Sequence, residues 1–230
     1  MVTVVVQQPT YLPWMGYFEL IARSDVFVFL DSVQFERRSW QSRNRLRNVA
    51  GQAFWLTVPV EKAPREARIK EIQIMRQDRD WVRKHTQSIQ TSLGKAKYFH
   101  TYRDVVERWT GHDMLMLADL NIALITDLAR ILGFSPVFVR SSDLVTTSAK
   151  AELMVEIARQ VNATRYYSAV GSSAYLRKDM FEEHGMTVAY QDWPHPVYAQ
   201  CGPGFVSHLS IIYALTNLGP EETRRLILAR

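Results

Sequence analysis

Three stretches of this chain carry residue types that can bind and transform a small polar molecule. In the first, Gln7-Gln8-Pro9-Thr10-Tyr11-Leu12-Pro13-Trp14, two amides, a hydroxyl and two rings follow directly on the apolar run Val4-Val5-Val6. In the second, Asp31 closes another apolar run, Val26 to Leu30, and residues 32–47 then hold five arginines interleaved with Phe35 and Trp40. Guanidinium forks grip phosphate or carboxylate in two places at once, and an indole offers a stacking face for a base or sugar ring. Arg38, Arg43, Asn44 and Trp40 are therefore candidates for holding substrate; the other reading is a solvated loop whose arginines meet nearby acids. The third is Ser168 to Leu176, where a strand runs into Gly171-Ser172-Ser173, a turn that can aim backbone N–H groups at an anion.

Groups able to move a proton are few. Asp31 sits at a strand end, and His195, fixed between Pro194 and Pro196, has a pKa near neutrality by nature, with Tyr198 and His208 close by in sequence. His195 is either the base of a deprotonation or a residue that closes a turn. Cys201 lies in the loose sequence Cys-Gly-Pro-Gly, a poor setting for a nucleophile.

These residues need elements to hold them. β-Branched and aromatic runs predict strands over 4–6, 26–30, 54–60, 136–140, 165–168 and 186–193, with a shorter one over 71–74. Helical periodicity covers 80–93, 114–132, 148–161 and 207–218, a further helical segment opens at 98–102, and the charged tail is helical. Ser148 is the expected cap of its helix. His85 reads as a semi-buried helix residue, and Met114, Leu115, Met116, Leu117 and Leu120 read as core. Residues 32–47 fit neither period, so a structured loop with short helical pieces is expected there. Strands alternating with helices give an α/β fold with a doubly wound, largely parallel sheet in one domain over 1–230, with helical additions at roughly 78–133. Gln7, Gln8, Asp31, Ser168 and Gln191 then fall along its carboxyl edge, where such sheets bind ligands.

Composition narrows the classes. The 230 residues are 47% hydrophobic and 22% charged, ordinary for a globular chain long enough to bury a full core. The net charge of +5 suits a phosphate-bearing small molecule better than a nucleic acid, whose binders usually carry a basic stripe. One cysteine excludes disulfide frameworks within the chain and fits the cytosol, and no apolar run approaches the length of a membrane span. The opening residues have neither the basic start nor the cleavage site of a secretory leader. No metal site is expected, and no Walker loop, dinucleotide glycine fingerprint, Gly-x-Ser-x-Gly elbow or His-Glu-x-x-His is present.

The ordered series Gln8-Pro9-x-Tyr11-Leu12-Pro13-Trp14-x-Gly16-Tyr17-Phe18, Asp31-x-Val33-Gln34-Phe35, Arg38-x-Trp40-Gln41-x-Arg43-Asn44, Trp55-Leu56-x-Val58-Pro59-Val60, Gly171-x-x-x-Tyr175-Leu176 and His195-Pro196-x-Tyr198-x-Gln200 resembles the WbqC-like proteins over nearly the whole chain. Members look like bacterial proteins encoded with polysaccharide or O-antigen genes, and some are labelled glycine transferases. The resemblance implies transfer of an aminoacyl group to a nucleotide-linked amino sugar, with the donor made from ATP and Mg or delivered preactivated on an acyl carrier. It brings Gln8, Trp14, Gln34, Tyr175 and Gln200 into the set of substrate-binding candidates, beside Tyr11 as a stacking ring and Gln191 at its strand end. One departure is Tyr213, where an acid is expected. A looser likeness is to the ATP-using nucleotidyltransferase folds, whose paired first-turn histidines this chain lacks. Two other readings stand beside the transferase: an ATP-dependent nucleotidyl or amino-acid ligase, and a non-catalytic sugar-nucleotide-binding protein.

Overall fold

The computed structural model describes residues 1–75, 80–101, 114–174 and 176–229. Its centre is a five-stranded, wholly parallel sheet in the order β5-β2-β1-β6-β7, formed by β1 (Thr3–Gln7), β2 (Val26–Phe29), β5 (Val137–Arg140), β6 (Arg165–Ser168) and β7 (Thr187–Tyr190). Successive side chains of a strand point to opposite faces, and both faces here are apolar, as a buried parallel sheet requires. Val5, Phe27 and Phe29 pack with α1 (Met15–Ala22), α3 (Leu117–Ile131) and α6 (Ile211–Leu218). Val4, Val6 and Val28 pack instead with α4 (Lys150–Gln160) and Phe181 of α5 (Lys178–Glu182). The sheet is thus doubly wound, with helical additions. Helix α7 (Pro220–Leu228) lies against α1 and α6.

From β1 the chain adds strands in one direction, β2 and then β5, and afterwards returns to the other side of β1 to add β6 and β7. The order reverses between β1 and β6. Loops leaving the carboxyl ends of those two strands head for opposite faces of the sheet, and a crevice opens between them.

The largest departure from expectation lies in residues 43–47. They form a strand, β3 (Arg43–Arg47), paired antiparallel with β4 (Ala53–Thr57) in a separate two-stranded sheet. Asn44 and Leu46 face the interior while arginines occupy the alternate positions, so the apolar alternation that marks a strand is hidden. Helix α2 (Asp80–Leu93) forms over the expected residues, and residues 71–74 make only isolated bridges after a 3-10 turn, Ile69–Glu71. Leu115, expected in the core, is 45% exposed, because the helix begins two residues later. Ser148 does not cap α4, whose N-cap is Ala149; the Glu156 carboxylate takes the Thr147 and Ser148 N–H groups instead. The segment expected to open at 98–102 runs partly into residues outside those described.

Candidate functional site

The crevice at the strand-order reversal is a cavity of about 620 Å³, within the range that holds small ligands. Val6, Gln7 and Gln8 line it from β1, Leu30 and Val33 from the exit of β2, Tyr166 and Ser168 from β6, and Lys150 to Met154 from the first turn of α4, with Arg177 at its rim. Its charges differ in availability. The Arg177 guanidinium is held by the Asp179 carboxylate. Lys150 makes no ion pair and Glu152 no hydrogen bond among the described residues, and both are exposed. Lys150 also sits at φ +54°, a left-handed conformation that a side-chain-bearing residue rarely adopts. The Ser172 hydroxyl donates to the Ala169 carbonyl (2.8 Å), which leaves Ser168 Oγ to donate to Ser172 Oγ (2.8 Å).

The loop between β1 and α1 borders this crevice and is braced from every side. Asn44 Nδ2 donates to the Tyr11 and Leu12 carbonyls (3.0 and 2.8 Å), Asn121 Nδ2 to those of Pro9 and Gln41 (3.1 and 2.7 Å), and the Tyr17 hydroxyl to that of Gln8 (3.0 Å). Gln41 Nε2 donates to Gln8 Oε1 (2.9 Å), so the Gln8 side chain is engaged at the crevice wall. Tyr11, expected to stack on a ligand ring, is buried instead. Its hydroxyl meets His85 Nδ1 (3.0 Å), while His85 Nε2 meets the Thr57 carbonyl (3.1 Å). A carbonyl can only accept, so Nε2 carries the proton and Nδ1 accepts from Tyr11. Burial drives the His85 pKa down to about 4, against the opposing pull of the Thr57 carbonyl.

The expected bases are not free. Asp31 is fully buried, and its two oxygens accept from Arg140 Nε (2.8 Å), Ser141 Oγ (3.1 Å), Ser142 N (3.0 Å) and Ser142 Oγ (2.9 Å). It ties the end of β2 to the end of β5 and has no lone pair aimed at a substrate. His195 Nδ1 donates to the Pro196 carbonyl (2.8 Å), so Nε2 is the acceptor of the His208 N–H (3.1 Å). Both ring nitrogens are spent on backbone, and burial lowers its pKa, with the Pro196 bond opposing and His208 adding to the shift. Tyr198 is buried against His195 and Phe205, and burial raises its phenol pKa far above the ordinary value.

Two of the expected substrate amides are struts. Gln191 Nε2 donates to the Gly16 carbonyl (2.7 Å) and to Glu19 Oε2 (2.8 Å), locking β7 to α1. Gln200 Oε1 accepts from Arg47 Nη1 (2.8 Å) and Val206 N (3.0 Å). Arg47 is fully buried and also donates to the Pro203 and Gly204 carbonyls, so one guanidinium holds the whole 200–206 loop.

The remaining candidates fall into two groups. Gly171, Ser172 and Ser173 lie in a 3-10 turn, Val170–Ala174, with Ser172 turned inward to Ser168 and the other two exposed. Tyr175 lies outside the described residues. Arg43, Arg45 and Trp55 sit on the hairpin with Trp40 of the preceding turn packed beside them, Arg38 is exposed at φ +59°, and Gln34 donates to the Arg65 carbonyl (2.7 Å). Trp14 stacks on His195 (5.9 Å between centroids, 12°) and leans on His208 (4.6 Å). The roles of Lys150 and Glu152 at the crevice, and of Arg47, Gln41 and Asn121 in its scaffold, escaped the sequence reading, whereas His85 is an inward-facing helix residue as expected. Only Arg47 and its alternation with Arg43 and Arg45 gave a local signal. Among the described residues no group of three His, Cys, Asp or Glu side chains is placed to hold a metal ion, and no helix is long and apolar enough to cross a membrane.

Fold and site together define an open, doubly wound parallel α/β protein with a small-molecule crevice at its switch point. The chain belongs to the WbqC-like protein family, which matches residues 8–225. It is similar to the uncharacterized protein Rv1507c of Mycobacterium tuberculosis (strain ATCC 25618 / H37Rv), with 30% identity over 221 residues, 95% of this chain and 94% of that protein. No solved structure matches it.

Proposed function

We propose that this chain is an aminoacyl transferase, glycyl by family likeness, which forms an amide on the amine of a nucleotide-linked amino sugar during bacterial polysaccharide assembly, with the reaction in the switch-point crevice. The observation that carries this reading is the pair of exposed opposite charges, Lys150 and Glu152, on one helix turn that lines a 620 Å³ cavity beside Gln7 and Ser168, Lys150 without an ion pair and Glu152 without a hydrogen bond among the described residues. An ammonium there binds the phosphate or the departing anion of an activated acyl donor. The acceptor amine attacks the acyl carbon, a C–N bond forms as the bond to the leaving group breaks, and the amine proton passes to the Glu152 carboxylate. This reading gives Asp31 and His195 structural roles, supported by the hydrogen bonds their side chains already make within the protein.

The same engagement favours a second reading, a sugar-nucleotide-binding protein without turnover. One experiment separates the two. The purified protein is offered glycine and other amino acids with ATP and Mg, followed by labelled pyrophosphate exchange into ATP, and separately a preactivated glycyl thioester with an amino-sugar nucleotide, followed by mass spectrometry. Exchange identifies a protein that activates its own donor. Amide formation without exchange identifies a carrier-delivered donor, and Glu152→Gln then lowers the rate at least tenfold. Saturable binding with neither exchange nor amide overturns the transferase in favour of the binding protein.

A further inference from the structure

Arg43, Arg45 and Arg47 alternate along β3 and so share one face of the hairpin, opposite Thr57, Trp55 and Ala53 of β4. Their surroundings diverge. Arg47 is fully buried and spends its guanidinium on Gln200 and two carbonyls. The Arg43 side chain makes no hydrogen bond among the described residues, and that of Arg45 has one long contact to the Ser207 carbonyl (3.5 Å). Neither has a carboxylate partner among the described residues; their Nε atoms, like that of Arg47, are buried without a hydrogen-bond partner.

What the two guanidiniums do have is aromatic surface. Arg43 lies over the Trp55 ring at 4.2 Å, Arg45 stands 5.6 Å from the Trp40 ring and 5.9 Å from that of Trp55, and the two indoles meet at 5.1 Å and 55°. Stacking on an indole holds a guanidinium in place while its N–H edge stays free to donate. The indoles themselves, Trp55 on β4 and Trp40 in the turn before β3, are 43% and 42% exposed. Fixed donors without an anion beside half-exposed rings are what binds a ring that carries phosphate.

We propose that this face of the hairpin is a ligand site separate from the crevice, at which Trp40 and Trp55 stack on the base of a nucleoside diphosphate while Arg43 and Arg45 hold its phosphates. None of these four residues lines the crevice, and occupancy here does not depend on amide transfer there. The shared chemistry with free pyrophosphate lies in the arginines, and the preference for a base lies in the rings.

Titration of the full chain with UDP, ADP and inorganic pyrophosphate, read by tryptophan fluorescence and calorimetry, tests this. Both nucleotides are expected to quench fluorescence saturably and to bind more tightly than pyrophosphate. Arg43→Gln with Arg45→Gln weakens nucleotide binding at least tenfold. Trp40→Ala with Trp55→Ala removes the preference over pyrophosphate, a loss of about five- to a hundredfold. The melting temperature of each variant is measured alongside. Variants that melt earlier yet bind nucleotide as tightly as the parent overturn the proposal, because the stacks are then only structural. So does a quench abolished by Lys150→Ala, which would put the nucleotide in the crevice, or an affinity for oligonucleotides that rises with their length, which would make the face a nucleic-acid surface. Should the double arginine variant not fold, Arg43→Lys and Arg45→Lys singly keep the charge without the fork, and unchanged affinity in both overturns it.

Discussion

The side-chain amide of Asn44 donates at once to the carbonyls of Tyr11 (3.0 Å) and Leu12 (2.8 Å), and Leu12 stands in the left-handed region at φ +44°. A leucine pays strain for that conformation, and the turn persists because Asn44 holds both of its carbonyls. Its Oδ1 meanwhile accepts the Arg45 N–H (2.7 Å), so both amide hydrogens and one lone pair of a buried side chain are engaged within the protein. Asn44→Ala orphans two buried acceptors and is expected to destabilise the protein by about 2–4 kcal/mol in urea unfolding. Asn44→Asp, which cannot donate, should cost a similar amount. A variant of unchanged stability with lost substrate binding would return Asn44 to the ligand site.

Asp31 makes an opposite use of a strand end. With four donors on its two oxygens and no exposure, it fastens β2 to the turn after β5, and Arg140 continues the chain to Asp119 (2.7 Å). Asp31→Asn keeps the shape but turns one acceptor into a donor facing other donors; Arg140 is 31% exposed and keeps Asp119, so the expected cost is about 1–3 kcal/mol. The expected result is a lowered unfolding midpoint, with the surviving folded fraction at near-parental turnover per molecule. Loss of turnover at parental stability would instead make Asp31 the base.

Gly16 follows Trp14 by two positions, and a methyl group there would stand 2.1 Å from the Trp14 ring. Alanine is favoured over glycine in a helix by about 1 kcal/mol, so propensity alone predicts stabilisation. The clash outweighs it, because the ring has to leave its stack on His195 and His208. Gly16→Ala is expected to lose about 1–3 kcal/mol and to shift tryptophan emission to longer wavelength as Trp14 becomes wetter.

The parallel strands and the helix Asp80–Leu93 were legible because their signals are local: apolar runs and helical spacing within a dozen residues. Of the hairpin, β4 was legible as the strand over 54–60 but β3 was not, since arginines alternate along one of its faces and an asparagine takes a position on the other. Strand-end polar residues were legible as a set, but their roles were not. Gln191 is consumed by Gly16 and Glu19, 175 and 172 positions away, and Asp31 by Arg140 to Ser142, about 110 positions on. Polar character at a strand end is common to ligand-facing and strut residues alike, and only the tertiary partners separate them. Lys150 and Glu152 went unnoticed for the converse reason: on a polar helix start they look like ordinary solvated charges.

Acid should find the weak point of the β1–α1 loop at His85. Its folded pKa is about 4, against an ordinary 6.5, because burial disfavours the cation. Between those values the unfolded chain binds a proton that the native chain refuses, so the contribution is fully present above about pH 6.5 and is lost as pH falls through the window towards 4. The difference amounts to about 3 kcal/mol. Burial also lowers the pKa of His195 and of His208, which act in the same direction as pH falls below the ordinary histidine value. Unfolding midpoints measured from pH 7.5 down to 4.5 should therefore fall steeply below 6.5. In His85→Gln, whose amide can donate to the Thr57 carbonyl and accept from Tyr11 without titrating, most of that slope should vanish and only the smaller part from the other two histidines remain. An unchanged slope in that variant would mean that protonated His85 is tolerated inside, and that the Tyr11-His85-Thr57 relay does not carry the acid sensitivity of the loop.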